Sequence, residues 1–137
     1  MTRRIVIQPP GVHPPAAPYS HAIITSPGRF VYISGQVPVD ADGRAVSAGN
    51  FEAQVDQVFS NLNRILEAAG ASFRDVVKLG TFLTRSSDLP AFRRKRDALF
   101  SGFFPDGQFP ASTLVIVSGL ADPGWRIEIE AYAAIPE

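Results

Sequence analysis

The residues best able to do chemistry in this sequence form an alternating run of polar and apolar side chains near residue 130. By strand alternation Arg126, Glu128, Glu130 and Tyr132 share one face, and the apolar residues between them share the other. A carboxylate on such a face can orient or deprotonate a water molecule if it points into a cleft. The competing interpretation is a salt bridge between Glu128 and Arg126 or a lysine, and alternation alone favours that structural role.

Two other short segments combine polar groups with a restricted backbone. Tyr19 and His21 lie in or beside a proline-rich, extended stretch that is neither helix nor central strand. Ser34 and Gly35 end an apolar strand, where a glycine permits close approach of the backbone to a ligand. Both segments are candidate walls of a cleft.

Conventional catalytic constellations are mostly missing from the sequence. His13 and His21 have no neighbouring histidine or carboxylate at metal-ligand spacing, so no metal site is expected. There is no cysteine, which removes thiolate ligands and a cysteine nucleophile. Glycine-rich phosphate-binding loops and the serine nucleophile elbow are also missing, so the usual nucleotide cofactors are not expected.

The elements that must position these residues follow from periodicity. Apolar residues spaced by threes and fours predict a helix from Asn50, its N-cap, to Gly70, which can end it in the left-handed conformation. A second helix is predicted from Ser87 to about Phe103. Runs of β-branched and aromatic residues predict strands near residues 1–8, 22–25, 29–35, 76–84, 111–118 and 126–135. The turn signal at Ser26-Pro27-Gly28 predicts that the second and third strands form a hairpin.

The order β-β-β-α-β-α-β-β is an α+β layout, in which two helices cover only one face of a mixed sheet. The segments 30–33 and 114–117 are apolar at successive positions, which predicts burial of both faces of those strands. A partner subunit is the simplest cover for the second face. The alternative is a single chain that exposes more apolar surface than usual.

Composition restricts the class of protein. The 137 residues, 45% of them hydrophobic, fit a single domain over residues 1–137. Thirteen basic and thirteen acidic residues cancel, which argues against nucleic acid or an anionic membrane as partner. No apolar run approaches the ~20 residues that span a bilayer, and no secretion signal is expected, so the cytoplasm is the expected location.

Five separate motifs, in matching order, resemble the Rid family, formerly called YjgF, over nearly the whole chain. They are Ala17-Pro18-Tyr19-Ser20, Ile33-Ser34-Gly35-Gln36-Val37-Pro38, Leu66-Glu67-Ala68-Ala69-Gly70, Phe109-Pro110-Ala111 and Ile127-Glu128-Ile129-Glu130-Ala131. The resemblance implies a chorismate-mutase-like fold and a homotrimer with small-molecule clefts at the subunit interfaces.

The resemblance also implies an activity. The best understood members hydrolyse reactive enamine or imine intermediates to a keto acid and ammonia, without a metal or organic cofactor. Carried onto this chain, Glu128 positions the attacking water and Tyr19 lines the cleft. Ser34 and Gly35 shape the pocket and supply backbone contacts.

One position departs from the family pattern. The deaminating subgroup follows its Pro-Ala with an arginine that holds the substrate carboxylate bidentately, whereas Ser112 and Thr113 stand here. The lost contact is worth on the order of a hundredfold in affinity. Ser112 and Thr113 are expected to bind a polar group of the substrate instead. Arg126 or the basic run 93–96 could supply a replacement cation, although a solvated helix face is favoured for that run.

Three functional hypotheses therefore stand. The leading one is a cofactor-independent hydrolase or deaminase of enamines, imines or related unsaturated metabolites, including 2-aminomuconate-type compounds. The second is a metabolite-binding or protein-stabilising trimer without turnover, so the sequence leaves enzyme activity open. The third is the RNA cleavage or translation inhibition of some relatives, for which the basic run 93–96 is the only local support.

Overall fold

The computed structural model describes residues 4–135 and confirms the predicted order of elements. The strands are β1 (Arg4–Ile7), β2 (Ala22–Thr25), β3 (Arg29–Gln36), β4 (Val76–Leu83), β5 (Ala111–Ile116) and β6 (Ile127–Ile135), and the helices are α1 (Phe51–Ala68) and α2 (Leu89–Phe103). Residues 1–3 of the predicted first strand lie outside the described residues. No helix within residues 4–135 is both long and apolar enough to cross a membrane.

The main sheet is mixed, as predicted, with the strand order β3-β6-β4-β5. β6 is antiparallel to both of its neighbours, whereas β5 runs parallel to β4, and α2 makes the crossover that a parallel pair requires. Both helices pack on one face of this sheet, so the predicted α+β class is confirmed. The core between helices and sheet contains buried residues of α1 (Val55, Val58, Leu62, Leu66), α2 (Phe92, Phe100), β4 (Leu79, Leu83) and β6 (Ile127, Ile129, Ala131, Ala133).

The predicted hairpin of β2 and β3 is wrong. β2 pairs with β1 in a separate two-stranded sheet, with Ile24 opposite Ile5, and β3 pairs with β6. A tight hairpin turn needs positive φ, and within residues 4–135 only Gly43, Gly70 and Gly107 have it. The chain instead bends at Pro27 and passes into another sheet.

Local signals place the helices well. The side chain of Asn50 accepts a hydrogen bond from the Ala53 amide at 3.0 Å and caps α1, while Gly70, with φ of 77°, follows its end. A short 3₁₀ turn (Ser86–Asp88) precedes α2, and the Asp88 side chain does not cap the helix. Its carboxylate bonds to Arg126 instead.

The face of the main sheet opposite the helices, called here the outer face, has no cover within residues 4–135. It carries Phe30 and Tyr32 of β3, Glu128, Glu130 and Tyr132 of β6, Lys78, Gly80 and Phe82 of β4, and Thr113 and Val115 of β5. Phe30 is 53% exposed and Tyr32 75% exposed, although both belong to residue types that are usually buried. Burial of both strand faces, expected from the sequence, is therefore not achieved by one chain alone.

Candidate functional site

Two carboxylates, Glu128 and Glu130, follow one another along the outer face of β6. Phe82 of β4 lies opposite Glu128, and Gly80 lies opposite Glu130. The intervening Ile129 points into the core and is fully buried. Strand alternation, fixed by the apolar side of β6, therefore holds both carboxylates on the face that the helices leave open.

Each of these carboxylates lies directly over a glycine. A Cβ added to Gly35 would be 1.9 Å from Oε2 of Glu128, and one added to Gly80 would be 2.9 Å from Cγ of Glu130. The sequence suggested that Gly35 lets backbone approach a ligand; the structure shows that it also makes room for Glu128. The register of β3 against β6 shifts between Ile33 and Gln36, which is where this contact occurs.

A cleft of about 340 Å³ opens beside the two carboxylates. It is lined by Phe82, Val117, Gly119, Leu120, Ala121, Glu128 and Glu130. Apolar walls with a few polar groups at defined positions are typical of small-molecule sites. A larger groove of about 500 Å³, between α1 and the loop after β3, contains none of the predicted site residues.

Neither carboxylate is engaged by the rest of the described chain. Within residues 4–135, Glu128 and Glu130 have no hydrogen bond or ion pair, although both are only partly exposed. The alternative interpretation of Glu128 as half of an intrachain salt bridge is therefore wrong. These are the unpaired acceptors that binding a water molecule or a substrate proton requires.

Arg126 does not share a face with Glu128, contrary to the prediction from alternation. It lies before the first residue of β6, and its guanidinium pairs with the buried Asp88 through contacts of 2.5 and 3.1 Å. It also donates to the Ala48 carbonyl at 2.7 Å and lies 5.1 Å from the Phe51 ring centre. Arg126 is therefore occupied in a structural network on the helix side.

The basic run 93–96 also points away from the cleft. Lys95 pairs with Asp56 of α1 at 2.8 Å, and Arg94 lies 3.8 Å from Glu52 of the same helix. Because α2 packs on the face opposite Glu128, no residue of this run meets the carboxylates within one chain. The interpretation as a solvated helix face agrees with the exposure of Arg93 and Arg94, whereas Lys95 and Arg96 are partly buried.

Tyr19 and Ser34 lie at opposite edges of the main sheet. Ser20 forms a parallel bridge with Ala111 and its hydroxyl donates to the Phe109 carbonyl at 2.6 Å, which places Tyr19 beside β5. Ser34 is exposed on β3, and its carbonyl accepts a hydrogen bond from the side-chain amide of Gln36 at 3.0 Å. With strands spaced by about 4.8 Å, these positions are roughly 15–20 Å apart within one chain.

Ser112 and Thr113 are on opposite faces of β5. Ser112 pairs with the core residue Leu79, whereas Thr113 pairs with Gly80 on the outer face. The Thr113 hydroxyl accepts a hydrogen bond from Lys78 at 2.9 Å. One chain thus brings Gly35 and Glu128 together, and separately places Tyr19 beside β5, with Ser112 on one face of that strand and Thr113 on the other.

The sequence contained signals for two cleft residues that were not selected. Gly80 lies in the interior of a predicted strand, where a glycine is typical of close approach by another group. Glu130 follows Glu128 at the two-residue strand period. The loop 119–121 had no such signal, because its position at the same cleft as Glu128 depends on long-range packing. Within residues 4–135 no three histidine or carboxylate side chains come together as a candidate metal cluster.

Comparison with known proteins identifies relatives over almost the whole chain. The family model described as endoribonuclease L-PSP matches residues 11–135. The 3-aminoacrylate deaminase RutC of Acinetobacter baylyi is 35% identical over 130 residues, which is 95% of this chain and 97% of the relative. The 2-iminobutanoate/2-iminopropanoate deaminase of Dermatophagoides farinae is 31% identical over 135 residues, covering 98% of this chain and 99% of the relative.

The solved structures agree with the sequence comparison. The crystal structure of the conserved Rid-family protein YyfB from Yersinia pestis superimposes with a TM-score of 0.82 and 35% identity, covering 96% of this chain and 98% of that one. The YjgF structure from Escherichia coli gives a TM-score of 0.69 at 30% identity, over 88% and 90% of the two chains. With its motifs, its sheet order and its relatives in agreement, this chain belongs to the Rid family.

Proposed function

We propose that this protein hydrolyses enamine, imine or related unsaturated metabolites in clefts between subunits, without a metal or organic cofactor. The observation that carries the proposal is the Glu128 carboxylate, which is unpaired within residues 4–135, fits against Gly35 and borders a cleft with apolar walls. Two relatives named as deaminases of such compounds support the reaction class.

In this reaction Glu128 accepts a proton from water as the water oxygen attacks the carbon of the C=N bond. The electron pair of that bond moves to nitrogen, which takes the proton back from Glu128 and becomes the amino group of a carbinolamine. Its collapse forms the carbonyl and releases ammonia. A positioned general base of this kind contributes about 10²–10⁴-fold to a rate.

The clefts are proposed to lie between the subunits of a homotrimer. Tyr19 and Thr113 lie near β5, with Ser112 on the other face of that strand, whereas Gly35 and Glu128 are on β3 and β6. A neighbouring copy can bring the two groups into one site, with Ser34 supplying backbone contacts. The exposed aromatic residues of the outer face support this arrangement, because contact with another copy would remove them from water.

The proposal is tested by ammonia release from purified protein with 2-iminopropanoate, 2-iminobutanoate, 3-aminoacrylate and 2-aminomuconate. Acceleration above the spontaneous rate with at least one compound is expected. No acceleration with any of the four would overturn it and favour the second hypothesis, a metabolite-binding or protein-stabilising trimer, which Ser112 in place of arginine motivates.

A Ser112→Arg variant tests whether the site can still hydrolyse an imino acid once the arginine of the deaminating subgroup is restored. The guanidinium restores a bidentate donor for a substrate carboxylate, and the exposed position of Ser112 leaves room for it. We expect kcat/KM for 2-iminopropanoate to rise by about 10- to 100-fold, the value of a charge-assisted contact. Ser101→Arg, at an exposed position of α2, is the control. An unchanged rate in Ser112→Arg would show that residue 112 does not meet the substrate.

A Gly35→Ala variant tests whether the fit between β3 and Glu128 matters. The new methyl group would overlap Oε2 of Glu128, so the carboxylate must move by more than 1 Å. A displacement of that size costs about 10²-fold in rate. Gly102→Ala is the matched control, since nothing lies within 4 Å of its added Cβ. Equal activity of both variants would contradict the assigned position of Glu128.

A further inference from the structure

Glu130 shares the cleft with Glu128 but has no role in the reaction as described so far. Its side chain lies over Gly80 at the centre of the sheet, where a Cβ would come within 3.0 Å of its Oε2. Gly80 is itself buried, so the carboxylate stem rests on bare backbone. Side chains two residues apart on a strand are about 6.6–7 Å apart, a separation that a small substrate can bridge.

The lining of this cleft includes two acidic side chains and no basic one. Lys78 of β4 is on the outer face two residues from Gly80, lies opposite Tyr132, and donates to the Thr113 hydroxyl at 2.9 Å. Arg126 pairs with Asp88, and Arg94 and Lys95 of α2 pair with carboxylates of α1. Within residues 4–135 no cation forms an ion pair with either carboxylate.

We infer that Glu130 binds the protonated nitrogen of the substrate while Glu128 receives the proton of the attacking water. This inference rests on the proposed function and extends it to the substrate's form, a cationic iminium, R₂C=NH₂⁺. A carboxylate beside that nitrogen favours the protonated form, which is the more electrophilic one. Phe82, Val117 and Leu120 put apolar surface beside the carboxylates, and an electrostatic attraction is stronger next to such low-dielectric walls than in bulk water.

Glu128 carries the proton transfers of the whole reaction, while Glu130 stays ionised beside the nitrogen. Water adds to the iminium carbon and gives its proton to Glu128, leaving the neutral carbinolamine R₂C(OH)NH₂. Glu128 then protonates the amine, the C–N bond breaks, and the hydroxyl proton returns to Glu128 as the carbonyl forms. Glu128 passes that proton to ammonia, so the sum is R₂C=NH₂⁺ plus H₂O giving R₂C=O plus NH₄⁺.

This arrangement also accounts for the serine at position 112. A site that holds its substrate by the cationic nitrogen does not need an arginine to hold a carboxylate. The substrate class is therefore an iminium whose recognised group is the nitrogen end, with or without a neighbouring carboxylate.

Glu130→Gln is the decisive variant, because it keeps the volume of the side chain and removes its charge. Two readouts are measured: kcat/KM for the compounds that the wild type hydrolyses, and calorimetric binding of benzamidine, whose planar amidinium mimics a protonated imine. We expect both to fall by about 10- to 100-fold. Glu67→Gln, at an exposed carboxylate of α1, is the control, and Glu130→Ala repeats the test if the glutamine variant does not fold.

The outcomes separate this inference from the proposed function. If Glu130→Gln keeps both the activity and the benzamidine binding of the wild type, the role of Glu130 is overturned and the proposed hydrolase function stands. Benzamidine binding that depends on Glu130, without ammonia release from any imine, supports cation recognition and removes the hydrolase. A wild type that neither binds benzamidine nor releases ammonia overturns both.

Discussion

Glu128→Gln is expected to lower kcat/KM for imine hydrolysis by about 10²–10⁴-fold, the range lost when a positioned general base is removed. Glutamine fills the same space above Gly35, so neither the fold nor the cleft should change. A neutral amide cannot accept the proton of the attacking water. The loss should therefore appear mainly in kcat, whereas removal of uniform binding would appear in KM.

Steady-state ammonia release and thermal unfolding, measured on the same preparations, test this expectation. Glu52→Gln serves as the control, because Glu52 is an exposed carboxylate on α1, on the other side of the sheet from the cleft. Full activity in Glu128→Gln would show that another group activates water, and the assignment would then have to be abandoned.

Arg126→Ala is expected to lower the free energy of unfolding by about 3–5 kcal/mol, the usual cost of leaving a buried charge without its partner. The Asp88 side chain is 7% exposed, and Arg126 supplies both of its ionic contacts. Arg126 also bonds to the Ala48 carbonyl, and its backbone amide donates to the buried side chain of Gln54 at 2.9 Å. Alanine at position 126 keeps the amide but loses every guanidinium contact.

Urea denaturation at a fixed protomer concentration measures this effect, since subunit association would otherwise change the apparent stability. Arg94→Ala is the control: its pair with Glu52 is 3.8 Å long and both side chains are more than half exposed, so about 0–1 kcal/mol is expected. The double variant Arg126→Met with Asp88→Leu should recover most of the loss, because it removes both charges. Similar losses in Arg126→Ala and Arg94→Ala would show that the buried pair contributes no special stability.

Helices and strand positions could be predicted because their signals are local. The apolar spacing of α1, the amide-accepting side chain of Asn50 and the left-handed Gly70 all lie within the helix or beside it. The partner of each strand could not be read in the same way. β3 pairs with β6, about a hundred residues away in sequence, and the bend at Pro27 resembled a hairpin turn only in its composition.

In the candidate site, too, the features set by local sequence could be predicted and those set by pairing between strands could not. Alternation identified Glu128, and the apolar side of β6 fixed its direction. The same rule failed for Arg126 because the strand begins one residue later, and alternation holds only inside a strand. The contact between Gly35 and Glu128 joins two strands, so no property of either segment alone could predict it.

The anchoring of Tyr19 bears on how the protein is made. Ser20 bonds to Phe109, 89 residues further along the chain, so the segment that carries Tyr19 leaves the ribosome long before its attachment point exists. At about 5–20 residues per second that delay is roughly 5–20 s. Prolines that keep the waiting segment extended reduce the number of conformations it can sample and remove amide donors that could pair elsewhere. One wall of the cleft is therefore completed only near the end of synthesis.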